Sequence, residues 1–196
     1  IFTRPQWRSW LVKGGFIIAG YSVVLFGHFL ASLQGWEGAH SILVPAGLPL
    51  ATMTAVYTAW LFAQSKARDL WQSPLLPPHL LVQTLLAGAA ALVPVALLTD
   101  AASVGPLLWV LGLASLGHLL LVWGETTLPH VTAHAHLANH EMARGRYRSY
   151  FRAGIVLGLA GVAAPWIGAL AAPLALLGLL AFEHAYVQAG QSVPLA

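Results

Sequence analysis

The chain contains no cysteine. Disulfides, thiolate clusters, Fe–S ligation and Cys-bound zinc are therefore excluded from it. Charge is nearly as scarce. Asp, Glu, Lys and Arg make up 8% of the 196 residues, against about one quarter in an ordinary soluble domain. So few charges cannot cover a water-facing surface, which rules out a disordered chain, a nucleic-acid-binding domain and a water-soluble enzyme. The nine Lys+Arg and six Asp+Glu are too sparse for a phosphate-binding patch and read instead as topology markers at membrane edges. The first residue is Ile1, and the chain is expected to be the later part of a longer protein.

What the sequence has is apolar length. Hydrophobic residues make up 58% of it, and the mean hydropathy is +0.74. No Asp, Glu, Lys or Arg occurs from Gly14 to Trp36, Gly38 to Ser65, Leu70 to Thr99, Ala101 to Gly124 or Ala153 to Phe182. A spanning helix needs about 20 mostly apolar residues, so the first, second and fourth runs each fit one crossing. The third opens with Pro74, Pro77 and Pro78, which moves its helix start to about Pro78. The last run exceeds one crossing, and Pro165, Gly168 and Pro173 suit a tight turn within it. The expected fold is all-α: a polytopic membrane helix bundle, one transmembrane domain over 1–196. Its six spans fall at about 14–34, 41–64, 78–99, 102–124, 152–169 and 173–189, with a cytoplasmic surface segment at 128–148.

The basic residues fit this topology. With alternating spans, Arg4, Arg8 and Lys13, then Lys66 and Arg68, then Arg144, Arg146, Arg148 and Arg152 all fall on one side. The positive-inside rule makes that side cytoplasmic, with both ends of the segment on it.

Ionisable and polar groups at membrane depth are costly, and each is a functional candidate. His28, Tyr57, His118 and Glu125 lie within or close the spans, and Glu183 and His184 lie near the inner end of the last one. His28 is roughly 22 Å from the cytoplasmic edge and His118 roughly 10 Å, so they cannot ligate one haem. His118 and His184 share a depth, which leaves an inner haem geometrically open, but no convergent His set supports one. In the surface segment, the pairs His130/His134 and His136/His140 have helical i, i+4 spacing. They sit about 120° apart on one helix and do not converge on one metal ion. Asp69, next to Lys66 and Arg68, reads as part of a salt-bridged edge cluster or as a point of proton entry.

Several stretches resemble one family. Tyr57-Thr58-Ala59-Trp60-Leu61-Phe62-Ala63-Gln64 and then Ala67-Arg68-Asp69-Leu70-Trp71-Gln72-Ser73-Pro74-Leu75-Leu76-Pro77 are similar to the NrfD/PsrC family of integral membrane subunits of polysulfide-reductase-like complexes. So are Arg4-Pro5-Gln6-Trp7-Arg8-Ser9-Trp10, Gly124-Glu125 with His130 to Arg148, and Tyr186 to Leu195. The resemblance implies the last six helices of an eight-helix bundle. It further implies a quinone- or quinol-reacting anchor for menaquinone or ubiquinone, without haem or metal of its own. The implied partners are a ferredoxin-like Fe–S subunit, a molybdopterin catalytic subunit and membrane lipids, with no nucleic acid. Within it, Tyr57 is expected to hydrogen-bond the quinone from its Y-T-x-x-L setting, and Glu125 to relay protons. His28 and His118 are further cofactor-binding candidates from membrane depth alone. The competing readings are the membrane subunit of alternative complex III, a b-haem cytochrome anchor and an ion- or proton-translocating bundle.

Overall fold

The computed structural model describes residues 6–130 and 132–194; Arg4, Pro5 and Leu195 lie outside them. Among the described residues every regular element is helical. The helices are α1 (Trp10–Gln34), α2 (Glu37–Ala63), α3 (Leu76–Thr99), α4 (Val104–Thr127), α5 (Ala133–Ala143), α6 (Arg148–Val162), α7 (Ala164–Ile167) and α8 (Ala171–Ser192). Five segments are long and apolar enough to cross a membrane: Trp10–Gln34, Glu37–Ala63, Leu76–Thr99, Ala101–Thr127 and Ala164–Ser192. This is the expected membrane helix bundle with one fewer qualifying span than the six expected. The difference lies at 152–169. There α6 has 15 residues, stops at Ala163 and gives way to the single turn of α7. At about 1.5 Å per residue, α6 alone falls short of a bilayer. Gly168, at φ 71°, then reverses the chain where only glycine is unstrained.

Prolines act here according to position. Pro77 and Pro78 fall in the first turn of α3, whose N–H groups have no helical acceptor anyway, so the helix starts at Leu76. Pro45, Pro49 and Pro94 lie inside helices, a placement membrane bundles tolerate.

The chain divides into two compact units, Ile1–Gln64 and Ser65–Ala196. The first is an antiparallel hairpin of α1 and α2, turned at Gly35, whose φ is 67°. Glycines let the two helices approach. Gly14 faces the Tyr57 ring, Gly20 faces Leu50, and Gly27 faces Leu43.

In the second unit α3, α4, α6 and α8 form a closed antiparallel ring, each packing on the next and α8 returning to α3. Small residues again set the approach. Gly154 and Gly158 meet Gly178, Gly161 meets Ser115 and Ala175, and Gly112 meets Pro165. In lipid, such close contact replaces the hydrophobic effect as the source of helix association. Leu86, Val93, Leu111, Ala164 and Ala171 fill one end of the ring. The other end carries the polar side chains.

Candidate functional site

Proline-rich segment 73–78, the C-terminal turn of α4 and the last turns of α8 meet at that polar end. Among the described residues of this unit, the polar side chains of His79, Gln83, Ser115, His118 and Glu125 are buried. In α3, His79 and Gln83 are one helical turn apart and share the buried face with Leu76 and Leu86. His79 Nε2 lies 2.8 Å from His118 Nδ1, so one imidazole donates and the other accepts. Phe182 closes over both rings, edge-on to His118 with centroids 4.9 Å apart. Gln83 donates to Glu183 Oε1 at 2.6 Å. Tyr186 donates its hydroxyl to the Leu70 carbonyl at 2.9 Å. The Ser115 hydroxyl, facing Gly161, has no hydrogen-bond partner among the described residues.

Glu125 lies one level nearer the end of the ring. Ser73 donates its hydroxyl to Glu125 Oε2 at 2.9 Å while its oxygen accepts the Leu75 N–H at 3.3 Å. The single Ser73 proton is thereby directed at the carboxylate, which is 5% exposed. Gly124, Glu125, Ser73 and Leu75 border a half-open cleft of about 360 Å³, which Leu128, Pro129, His130 and Thr132 also line. Thr132 caps α5 by accepting the Ala135 N–H, and donates to Asp69 at 2.6 Å. His130 Nε2 is buried without a hydrogen-bond partner among the described residues. The cleft thus has mostly apolar walls and three protonatable groups, Asp69, Glu125 and His130. That suits a small, mostly apolar molecule with hydroxyl or carbonyl oxygens, at the lower end of the usual 300–1,000 Å³ for ligand pockets.

Burial, and then the neighbouring His136 ring, hold His130 below the ordinary histidine value of 6.5. The neutral form is the one the fold favours. Its contribution to stability is complete above the unfolded value and is lost as pH falls through the lowered one. His136→Ala should therefore raise the titration midpoint of His130 toward the ordinary range. Histidine-labelled NMR across roughly pH 4–8 reads this, and an unmoved midpoint would remove His136 as a cause.

The residues singled out by sequence are distributed over both units. In the hairpin, the Tyr57 ring fits the notch left by Gly14, and its hydroxyl has no hydrogen-bond partner among the described residues. His28 lies toward the other end, its Nδ1 3.1 Å from that of His40. His118 and Glu125 belong to the four-helix unit. Of the two histidines set at one depth, His118 is taken up by His79 and Phe182, while exposed His184 lies against Tyr150, ring centroids 4.4 Å apart. The expected edge cluster of Lys66, Arg68 and Asp69 is corrected. Arg68 turns to the carbonyls of Gly190, Gln191 and Val193, and Asp69 bonds Thr132 and approaches His134 at 4.0 Å. The carbonyls of Gly190 and Gln191 lie in the last turn of α8, which has no helical donors to offer them, and the guanidinium satisfies them. Among the described residues no group of three or more His, Asp or Glu is placed to hold a metal ion.

Sequence reading missed His79, Gln83, His40 and Tyr186. Their signal was present as polar residues within apolar runs, and in α3 as an i, i+4 pair.

An all-helical bundle with apolar spans and ionisable groups buried at one end defines an integral membrane subunit rather than a soluble catalyst. Residues 1–181 match the family model described as Polysulphide reductase, NrfD, and the chain belongs to that family, whose members are membrane subunits of quinone-reacting redox complexes. No curated protein and no solved structure matches the chain.

Proposed function

We propose that this chain is the quinone-reacting membrane subunit of a respiratory oxidoreductase complex. It passes electrons between menaquinone or ubiquinone and a ferredoxin-like Fe–S subunit, which serves a molybdopterin catalytic subunit. The complex lies in a prokaryotic plasma membrane with both ends of this segment cytoplasmic, as the one-sided basic residues suggest. The observation that carries the reading is Glu125: a buried carboxylate, fixed by Ser73, bordering a cleft of headgroup size.

Interconversion of quinol and quinone moves two protons with two electrons, so a protonatable group near the ring is required. Glu125 takes the proton-handling role at the cleft. Tyr57, half-buried in the hairpin unit, is a separate candidate for a hydrogen bond to a quinone carbonyl. His118 and His28 are each engaged by another histidine, and bind the quinone only if that pair opens.

The purified complex tests this in two assays, one with a quinol and one with an artificial dye that reaches the Fe–S subunit directly. Tyr57→Phe removes one neutral hydrogen bond, worth about 0.5–1.5 kcal/mol. Quinone affinity should fall about tenfold or less, with the dye assay unchanged. Equal loss in both assays, or none in either, would return Tyr57 to a packing role against Gly14.

A further inference from the structure

We propose that the outward face of α6 binds one acidic phospholipid, with Arg148 and Arg152 on its phosphate. Four of the nine Lys+Arg fall between 144 and 152. Arg144, Arg146, Arg148 and Arg152 are all exposed. Among the described residues none of them is ion-paired with a carboxylate. The nearest acid, Glu141, accepts the Arg146 backbone N–H. The first turn of α6 has no acidic residue and no side-chain cap, so its positive end adds to the uncompensated charge.

What marks the occupant as a lipid is the order of side chains beyond the arginines. Arg148, Arg152, Val156 and Leu159 follow at +4, +8 and +11, which puts them within about 80° on one face of α6. Val156 and Leu159 are 65% and 55% exposed. The side of α6 that carries Tyr150, Gly154 and Gly161 packs on α8, across the helix from this stripe, so the stripe faces away from the four-helix unit. Along the face the sequence is guanidinium, then bare aliphatic. A phospholipid presents phosphate, glycerol backbone and acyl chain in that order, and long cationic side chains at a membrane edge reach for the phosphate. An acidic protein would satisfy the arginines and leave the aliphatic stripe uncovered.

Native mass spectrometry of the intact membrane protein in detergent tests the site, with phosphatidylglycerol and phosphatidylcholine of matched chain length as probes. Each arginine at a membrane surface contributes about fivefold to binding of an acidic lipid, so two give about thirtyfold. Wild type should prefer phosphatidylglycerol by about that factor. Arg148→Ala/Arg152→Ala should fall to parity, Arg148→Lys/Arg152→Lys should keep most of the preference, and exposed Lys66→Ala should keep all of it. Parity in wild type overturns the proposal without any variant. So does a preference that survives the double alanine change. Displacement of the lipid by inorganic phosphate would make this a free-anion site and also overturn it. Loss of a copurifying protein subunit from the double variant, with lipid retained, would assign the face to protein instead.

Discussion

Glu125→Gln should reduce quinol-dependent turnover by about 10²–10⁴-fold, the usual range for losing a positioned acid–base group. The variant is nearly isosteric. The amide oxygen still accepts the Ser73 hydroxyl, so the 2.9 Å bond and the packing of segment 73–75 against α4 are retained. What is lost is the capacity to take up and release a proton beside the cleft. Assembly and dye-linked activity should be unaffected, because neither needs a proton at this position. Steady-state turnover with a short-chain quinol, beside the dye assay, is the measurement. Unimpaired quinol turnover in Glu125→Gln would leave the cleft without a catalytic role.

The second large effect is structural. Gly178→Ala should destabilise the protein by about 1–3 kcal/mol, the range for overpacking a tight contact, and Gly178→Leu by more. A Cβ at Gly178 would lie 2.9 Å from the Gly158 backbone nitrogen and 2.9 Å from Leu157 Cβ. Backbone cannot rotate away as a side-chain tip can, so α6 and α8 must separate. Separation also disturbs Gly154, where Phe182 and the Gly178 carbonyl approach from α8. Phe182 in turn covers His79 and His118, so the polar end should loosen with the helix contact. Gly88→Ala is the control. Nothing lies within 4 Å of its Cβ position, and alanine there should be neutral or stabilising through helix propensity. Thermal unfolding in one detergent compares them. Equal melting temperatures for the two alanine variants would show that α6 and α8 tolerate a wider spacing.

Composition was enough to read the helices and the membrane, because apolar runs without charge have few other uses. Glu125 and His118 were legible as intramembrane ionisable residues. Their partners were less so. The three residues on either side of His79 are apolar or proline, and hydrophobic periodicity carries little information in a helix that is apolar on most sides. Pro77 and Pro78 drew attention to where α3 starts, not to what its first turns bury. The pairing of His79 with His118 spans 39 positions and exists only once α3 and α4 lie antiparallel. Arg68 illustrates the same limit. Beside Asp69 in sequence it looks like an ion-pair partner, yet its acceptors lie more than 120 positions away.

That last contact sets an order of events during synthesis. Segment 66–75 shapes one wall of the cleft, and it is held by Arg68 on the carbonyls of 190–193 and by the Tyr186 hydroxyl on the Leu70 carbonyl. A nascent chain that has inserted α3 and α4 therefore already contains Glu125 and Ser73, but not the groups that fix the wall around them. The cleft is completed only when the last turns of α8 leave the ribosome and return to a loop made more than a hundred residues earlier. A chain stalled or clipped before Tyr186 would be inserted and helical, with Glu125 beside an unfinished wall.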